Sequence, residues 1–187
     1  FKQKTAYEIM PSLVGSEMCI RDRVMTAVHS AMFVDPWQVG HALEVEAMRA
    51  RMEATATLAN LKRGIGGTVD IEFCVQMLQL RYGLEFPEVL QPGTLKAISS
   101  LEEAKLLTSE DAESLRSGYR LLRSVESRLR LLNTTARHDL PEKDGELDKL
   151  AYILRVDDVG SLQRELASSR RENRRVFQAT VARLVAE

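Results

Sequence analysis

Residues 60–73 read NLKRGIGGTVDIEF and, after Cys74, run into VQMLQL. Three of the four positions from Gly64 to Gly67 are glycine, and two carboxylates, Asp70 and Glu72, follow two residues apart. A glycine turn that opens a helix gathers backbone N–H groups, the cations Lys62 and Arg63 and two sets of acidic oxygens within a few ångströms. Those residue types suit nucleotide phosphates and Mg²⁺. Lys62, Arg63, Gly64, Gly66 and Gly67 are therefore candidates for phosphate contact, and Asp70 and Glu72 for catalytic, metal-binding carboxylates. A structural explanation competes with each assignment. Glycines supply positive φ in tight turns, a basic strand end is commonly solvated, and acids in a first helical turn complement its dipole.

Whether both acids can serve one site depends on the backbone that carries them. Val69, Ile71, Phe73 and Val75 alternate like a strand, whereas Ile71, Cys74, Val75, Leu78 and Tyr82 recur at helical spacing. The helical set is the longer and predicts a helix from about Thr68 to Tyr82. In a helix the two carboxylates diverge by roughly 200°, so only one points at a given site. Cys74 falls on the apolar face as a core residue. Gln76 and Gln79 fall on the polar side.

Upstream, Leu58–Arg63 is the best strand candidate, ended by the glycines. Asp35-Pro36 gives a cap and first-turn signal for a helix carrying Val39, Ala42, Leu43, Ala47 and Met48 and ending near Ala54, with Trp37 as a packing anchor at its start. Downstream, Pro87 and Pro92-Gly93 mark a loop before a helix with Leu95, Ile98 and Leu101. Thr108 opens a capping-box-like start to a long helix striped by Leu115, Tyr119, Leu122, Val125, Leu129 and Leu132. Pro141 and Gly145 break a polar stretch before Leu147, Leu150, Ala151 and Leu154. The last helix uses Leu162, Leu166, Val176, Phe177, Val181 and Leu184, with Arg170, Arg171, Arg174 and Arg175 as an arginine-rich outer face. Stripes on short-linked helices need one another for burial, which predicts a bundle.

Residues 1–23, FKQKTAYEIMPSLVGSEMCIRDR, are expected not to be native protein. Back-translation of KQKTAYE and LVGSEMCIRD gives strings that resemble short-read sequencing adapters, and no continuous apolar segment of signal-peptide length is present. The whole chain carries 26 basic and 27 acidic residues; setting aside Lys2, Lys4, Arg21, Arg23, Glu8, Glu17 and Asp22 leaves 22 and 24. Near-neutral charge argues against nucleic acid as a partner. No apolar run reaches the length that spans a bilayer. Cys74 is the one cysteine after residue 23, so no internal disulfide can form and a reducing, cytoplasmic setting is expected.

The segment NLKRGIGGTVDIEFCVQMLQL resembles the K-x-G-x-GG-x-x-D/E-I-E-F-x-V-Q-x-L-Q-L stretch of the glutamine synthetase adenylyltransferase family. The later runs YRLLRSVESRLRLLN and TTARHDLP resemble the helical domain that follows each nucleotidyltransferase domain there. Val69-Asp70-Ile71-Glu72 and the run from Arg128 to Asn133 look more like the C-terminal, adenylylating half than the removing half. The resemblance implies a mainly α chain: the C-terminal edge of a nucleotidyltransferase α/β domain at residues 24–83, then a helical bundle at residues 84–187. It also implies transfer of AMP from ATP to a tyrosine of glutamine synthetase, with Mg²⁺, under control of the PII signalling protein. The family's Gly-Ser and Asp-x-Asp metal-holding elements do not occur between residues 24 and 69, where Asp35 is the one aspartate. The chain alone is therefore expected to be inactive.

Three readings stay open at this level. Asp70 or Glu72 reaches an active site completed elsewhere; or the bundle is a non-catalytic interaction module for glutamine synthetase or PII; or the chain belongs with the PII uridylyltransferases, which share the basic strand and glycine turn but follow it with L-R-D rather than V-D-I-E-F. Arg120, Arg123, Arg128 and Arg130 form either intrahelical ion pairs, with Glu126 close by, or a docking surface for an acidic partner. His41 and His138 stand isolated, without metal-ligand spacing.

Overall fold

A computed structural model describes residues 23–24, 26–28, 30–132, 138–142 and 144–187. The expectation for residues 1–23 thus lies, Arg23 apart, outside the described residues. The chain divides into two units, residues 1–37 and Gln38–Glu187. In the first, the described residues between Arg23 and Met32 are helical. Trp37, expected to anchor the next helix, belongs to this first unit.

The second unit carries α1 (Val39–Ala54), α2 (Thr68–Tyr82), a 3₁₀ turn at Pro87–Val89, α3 (Thr94–Glu103), α4 (Ser109–Leu132), α5 (Asp144–Leu154) and α6 (Val159–Ala186). The architecture is mainly α, as the periodicity predicts. The boundary expected between residues 83 and 84 falls inside this unit, because α2 packs on α3, α4 and α6 as a member of the bundle. At 28 residues, α6 spans roughly 42 Å and is the spine: α1, α2, α4 and α5 all pack against it.

The core follows the apolar stripes. Ile71, Cys74 and Leu78 of α2, Ile98 and Leu101 of α3, Leu115, Leu122, Val125 and Leu129 of α4, and Leu162, Leu166, Phe177 and Leu184 of α6 are all buried. Each such side chain contributes about 1.5–3 kcal/mol by leaving water. The thiol of Cys74 lies 3.2 Å from the Thr180 hydroxyl, and burial pushes its pKa up to about 11, so it is a packed, protonated core group. Where α4 crosses α6 the helices approach closely at Gly118, because a Cβ there would collide with the Asn173 side chain.

Helix starts come from local chemistry. Thr108 accepts the Asp111 N–H through Oγ1 at 3.1 Å, and Asp158 accepts that of Ser161 at 2.8 Å, each satisfying a first-turn donor. The α1 start corrects the sequence expectation. The helix opens at Val39 rather than at Asp35-Pro36, and His41 Nδ1 accepts the Gln38 N–H at 3.1 Å. His41, which looked isolated, is thus a cap. Its stripe is also rotated from expectation: Ala42 and Arg49 are buried, while Val39, Leu43 and Met48 are exposed.

Leu58–Arg63 is not a strand. The Asn60 side chain takes the Lys62 and Arg63 N–H groups at 3.1 and 2.7 Å, coiling the backbone into turns. What remains of strand character is one antiparallel bridge, Asn60 to Asp139. That bridge nonetheless explains the H-D-L-P signature. Leu61 N–H donates to the His138 carbonyl, Leu140 N–H donates to the Ala59 carbonyl, and Asp139 Oδ1 accepts from Thr57 Oγ1 and Asn60 Nδ2.

Candidate functional site

The glycine turn lies between the end of α1 and the start of α2, and α6 runs behind it. Six amides from Gly64 to Asp70 are bonded internally. Gly64 N–H donates to Asn60 O, Gly67 to Gly64 O, Thr68 to Leu61 O, Val69 to Lys62 O and Asp70 to Gly67 O, at 3.0–3.2 Å. The Gly66 N–H donates to Asp70 Oδ2 at 2.9 Å. A phosphate cradle needs N–H groups pointing outward; these point at the turn's own oxygens.

Side chains from two helices collect the carbonyls. Arg49 Nη2 donates to Gly64 O at 2.8 Å, Arg170 Nε to Ile65 O at 2.8 Å and Nη1 to Leu58 O at 3.1 Å, and Asn173 Nδ2 to Gly66 O at 3.0 Å. Gly66 is glycine of necessity: its φ is +67°, and a Cβ would run into the Arg170 backbone carbonyl. A Cβ at Gly67 would meet Lys62 O at 2.5 Å. Here the glycines let two backbones touch.

Asp70 sits in the first turn of α2 and is fully buried. Arg49 Nε donates to its Oδ1, while Oδ2 takes the Gly66 N–H and lies 3.4 Å from Arg174 Nη1. Arg174 also pairs with Glu53 at 2.5 Å, and Arg49 Nη1 lies 3.3 Å from the same carboxylate. Burial raises the Asp70 pKa, and Arg49, Arg174 and the Gly66 amide pull it back. The arginine-rich face of α6 therefore needs correcting: Arg170 and Arg174 turn inward onto the glycine turn. Arg175 stays half-exposed and pairs with Asp111 and Glu172.

Glu72, two residues on and roughly 200° round the helix, faces α4 instead. It is half-buried, hydrogen-bonded to Tyr119 and flanked by Lys62, Arg123 and Glu126; burial raises its pKa, the two cations lower it, and Glu126 raises it further. The divergence expected of a helix is thus seen, and the two acids reach separate environments. Buried Glu126 pairs with Arg123 at 2.9 Å and with His138 Nδ1 at 3.3 Å, so His138 is a structural partner rather than an isolated histidine. Lys62 and Arg63 are exposed. Gln76 is exposed as expected, but Gln79 is buried, its Nε2 donating to Val89 O and Gln91 O at 2.7 and 2.9 Å to hold the loop after α2.

Mg²⁺ binding asks for carboxylate oxygens with free lone pairs and little competing positive charge. Asp70 offers neither, being bonded on both oxygens and enclosed by Arg49, Arg170 and Arg174. Among the described residues no three His, Cys, Asp or Glu side chains gather closely enough to hold a metal ion. As placed here, Asp70 is not free to take a Mg²⁺ ion. A groove of about 320 Å³ borders the turn, walled by Ala50, Ala54, Leu58, Ile65, Glu53 and Arg174, and its two charged groups neutralise each other.

Sequence reasoning missed Arg49 and Asn173, and it set Arg170 and Arg174 on an outer face. The signal was present in the stripes: Arg49 continues the series Ala42, Val45, Met52, and Asn173 lies in register with Leu162, Leu166, Val176 and Thr180. A polar residue on a buried stripe requires a buried partner.

Residues 41–181, from the first turn of α1 almost to the end of α6, match the family model described as GlnD PII-uridylyltransferase. Among curated proteins, the chain is 34% identical over 168 residues to the bifunctional glutamine synthetase adenylyltransferase/adenylyl-removing enzyme of Mycobacterium avium, covering 83% of this chain and 16% of that protein. The enzymes of the same name from Mycobacterium leprae and Caulobacter vibrioides are 32% identical over 170 residues (84% and 16%) and 41% identical over 99 residues (53% and 10%). The chain thus spans about a sixth of the length of the first of these relatives. Between the two transferase groups that share the glycine turn, the relatives fall on the side that the V-D-I-E-F sequence favours. The matched helical stretch and these relatives together place the chain in the glutamine synthetase adenylyltransferase family.

Proposed function

We propose that this chain is a helical portion of a cytoplasmic protein adenylyltransferase that, when whole, moves AMP from ATP to a tyrosine of glutamine synthetase, with the reverse step in the same polypeptide and PII as its regulator. The names of the relatives support the activity. The observation that carries the role of this portion is the closed glycine turn, whose amides and Asp70 are spent on Arg49, Arg174 and the turn itself. In this reading the portion supplies rigid framework, and the Mg²⁺ ligands come from elsewhere in the enzyme. Asp70 is a positioning residue for the turn. Lys62 and Arg63, the exposed members of the candidate set, are left to meet nucleotide phosphates in the assembled enzyme.

The test uses the full-length enzyme and AMP transfer to glutamine synthetase. Glu72→Gln keeps kcat and its Mg²⁺ dependence, Lys62→Ala with Arg63→Ala raises KM for ATP at unchanged Tm, and Asp70→Asn lowers Tm. A Glu72→Gln enzyme that folds normally but loses kcat and shifts its Mg²⁺ requirement would overturn the framework reading. It would return that acid to the metal site.

A further inference from the structure

A second groove, of about 390 Å³, runs between α3 and α4 on the side of the bundle formed by Gln91, Lys96, Ser99, Ser100, Arg116 and Arg120. Its volume is that of a small-molecule site. Its charge is unlike that of two other grooves among the described residues. The groove beside the glycine turn sets Glu53 against Arg174, and one between α4 and α6 sets Glu165 and Glu172 against Arg164. The α3–α4 groove has three cations on its wall and no carboxylate.

Helical register builds this arrangement. Lys96 and Ser100 are four residues apart on α3, and Arg116 and Arg120 four apart on α4, so each pair stacks on one face and the faces meet across the groove. Arg116 is held in place by Glu102 at 2.7 Å and Glu113 at 2.5 Å. Lys96 and Arg120 make no ion pair among the described residues, and the Ser100 hydroxyl has no hydrogen-bond partner among them. An ammonium, a planar guanidinium fork and a hydroxyl lining one groove are a donor set suited to a phosphate group: Arg binds two of its oxygens, while Lys supplies a point charge.

We propose that the α3–α4 groove binds a small phosphate-bearing ligand through Lys96, Arg120 and Ser100, with Arg116 as the fixed wall. The site is separate from the glycine turn and does not depend on the proposed function. Its chemistry is that of phosphate oxyanions, whether free or carried on a nucleotide.

The experiment titrates the full 187-residue chain by calorimetry, with inorganic phosphate, pyrophosphate and AMP as probes in metal-free buffer at NaCl-matched ionic strength. The comparison is with the double variant Lys96→Ala/Arg120→Ala. Both positions are exposed, so its Tm should equal that of the parent. Saturable binding of pyrophosphate or AMP, weakened about tenfold or more in the double variant, is expected from the loss of two charge-assisted contacts. Binding of AMP without pyrophosphate would assign the phosphate to a nucleotide; the converse would assign it to a free oxyanion. Equal heats from parent and variant would overturn the proposal. So would tighter binding of a hexaglutamate peptide than of every phosphate probe, which would make the groove a docking surface for an acidic segment.

Discussion

The glycine turn and the α3–α4 groove hold the same kind of charge in opposite ways. At the turn, Arg49, Arg170 and Arg174 are drawn inward and bonded to carboxylates or main-chain carbonyls. At the groove, Lys96 and Arg120 keep their charge at the surface. The difference comes from what lies opposite each helix. Three glycines supply no side chains to fill the space beneath α6, so long arginine stems fill it while their heads bond to the carbonyls that the turn leaves over. Glu102 of α3 neutralises Arg116, but toward Arg120 the α3 wall of the groove presents serines and a lysine, which fill less and carry no negative charge. A count of arginines along a helix therefore does not separate framework from surface; the residues facing them do.

The turn should be the more fragile region by a wide margin, and Gly66→Ala is the sharpest way to break the contrast. The substitution adds a Cβ against the Arg170 carbonyl and places alanine at φ +67°. The two costs are independent, and together they should exceed about 4 kcal/mol, a large part of a domain's whole stability. Urea unfolding followed by far-UV circular dichroism should show a domain largely unfolded at low denaturant. A loss below about 1 kcal/mol would mean that the close approach of the turn to α6 is dispensable.

Arg49→Met comes next in size. It leaves Asp70 buried with Arg174 at 3.4 Å as the nearest remaining cation and strips the Gly64 carbonyl of its side-chain donor. Removing one partner of a buried pair costs about 3–5 kcal/mol, so the unfolding midpoint should fall steeply while the surface variant Lys96→Ala/Arg120→Ala stays within about 0.5 kcal/mol of the parent. Equal effects from the buried and the surface substitutions would erase the distinction between the two regions.

Most of the fold could be read from spacing. The α2 bounds, the α4 and α6 stripes and the burial of Cys74 follow from apolar periodicity, which records what each helix packs against. Local competition decided the rest. Leu58–Arg63 has a strand's composition, yet the Asn60 side chain captures the amides that a strand would need. The α1 stripe departs from the apolar series because Arg49, a charged residue, lies on the buried face that carries Ala42. At the candidate site, helical geometry foretold that Asp70 and Glu72 would part. Which of them would be sealed could not be foretold, since the residues that seal Asp70 lie 21 positions before it and more than a hundred after it.

Glu72 offers the smallest effect and the finest discrimination, because its sign rather than its size is informative. Burial raises its pKa above the ordinary 4.5, so the folded protein holds that proton at a pH where the unfolded chain has released it. Stability then falls as pH rises through the folded-state pKa. Glutamine imitates the protonated acid and keeps a hydrogen-bonding group for Tyr119, so Glu72→Gln should lack that fall. The Tm of the variant should match the parent below the ordinary glutamate pKa and lie slightly above it at pH 7. Lys62 and Arg123 offset part of the burial, and the group is half-exposed, which keeps the margin small. A parent more stable than the variant at pH 7 would mean that Glu72 is held charged in the fold. A carboxylate kept ionised at a half-open position is what a cation site requires, and the framework reading of this segment would then give way to a catalytic one.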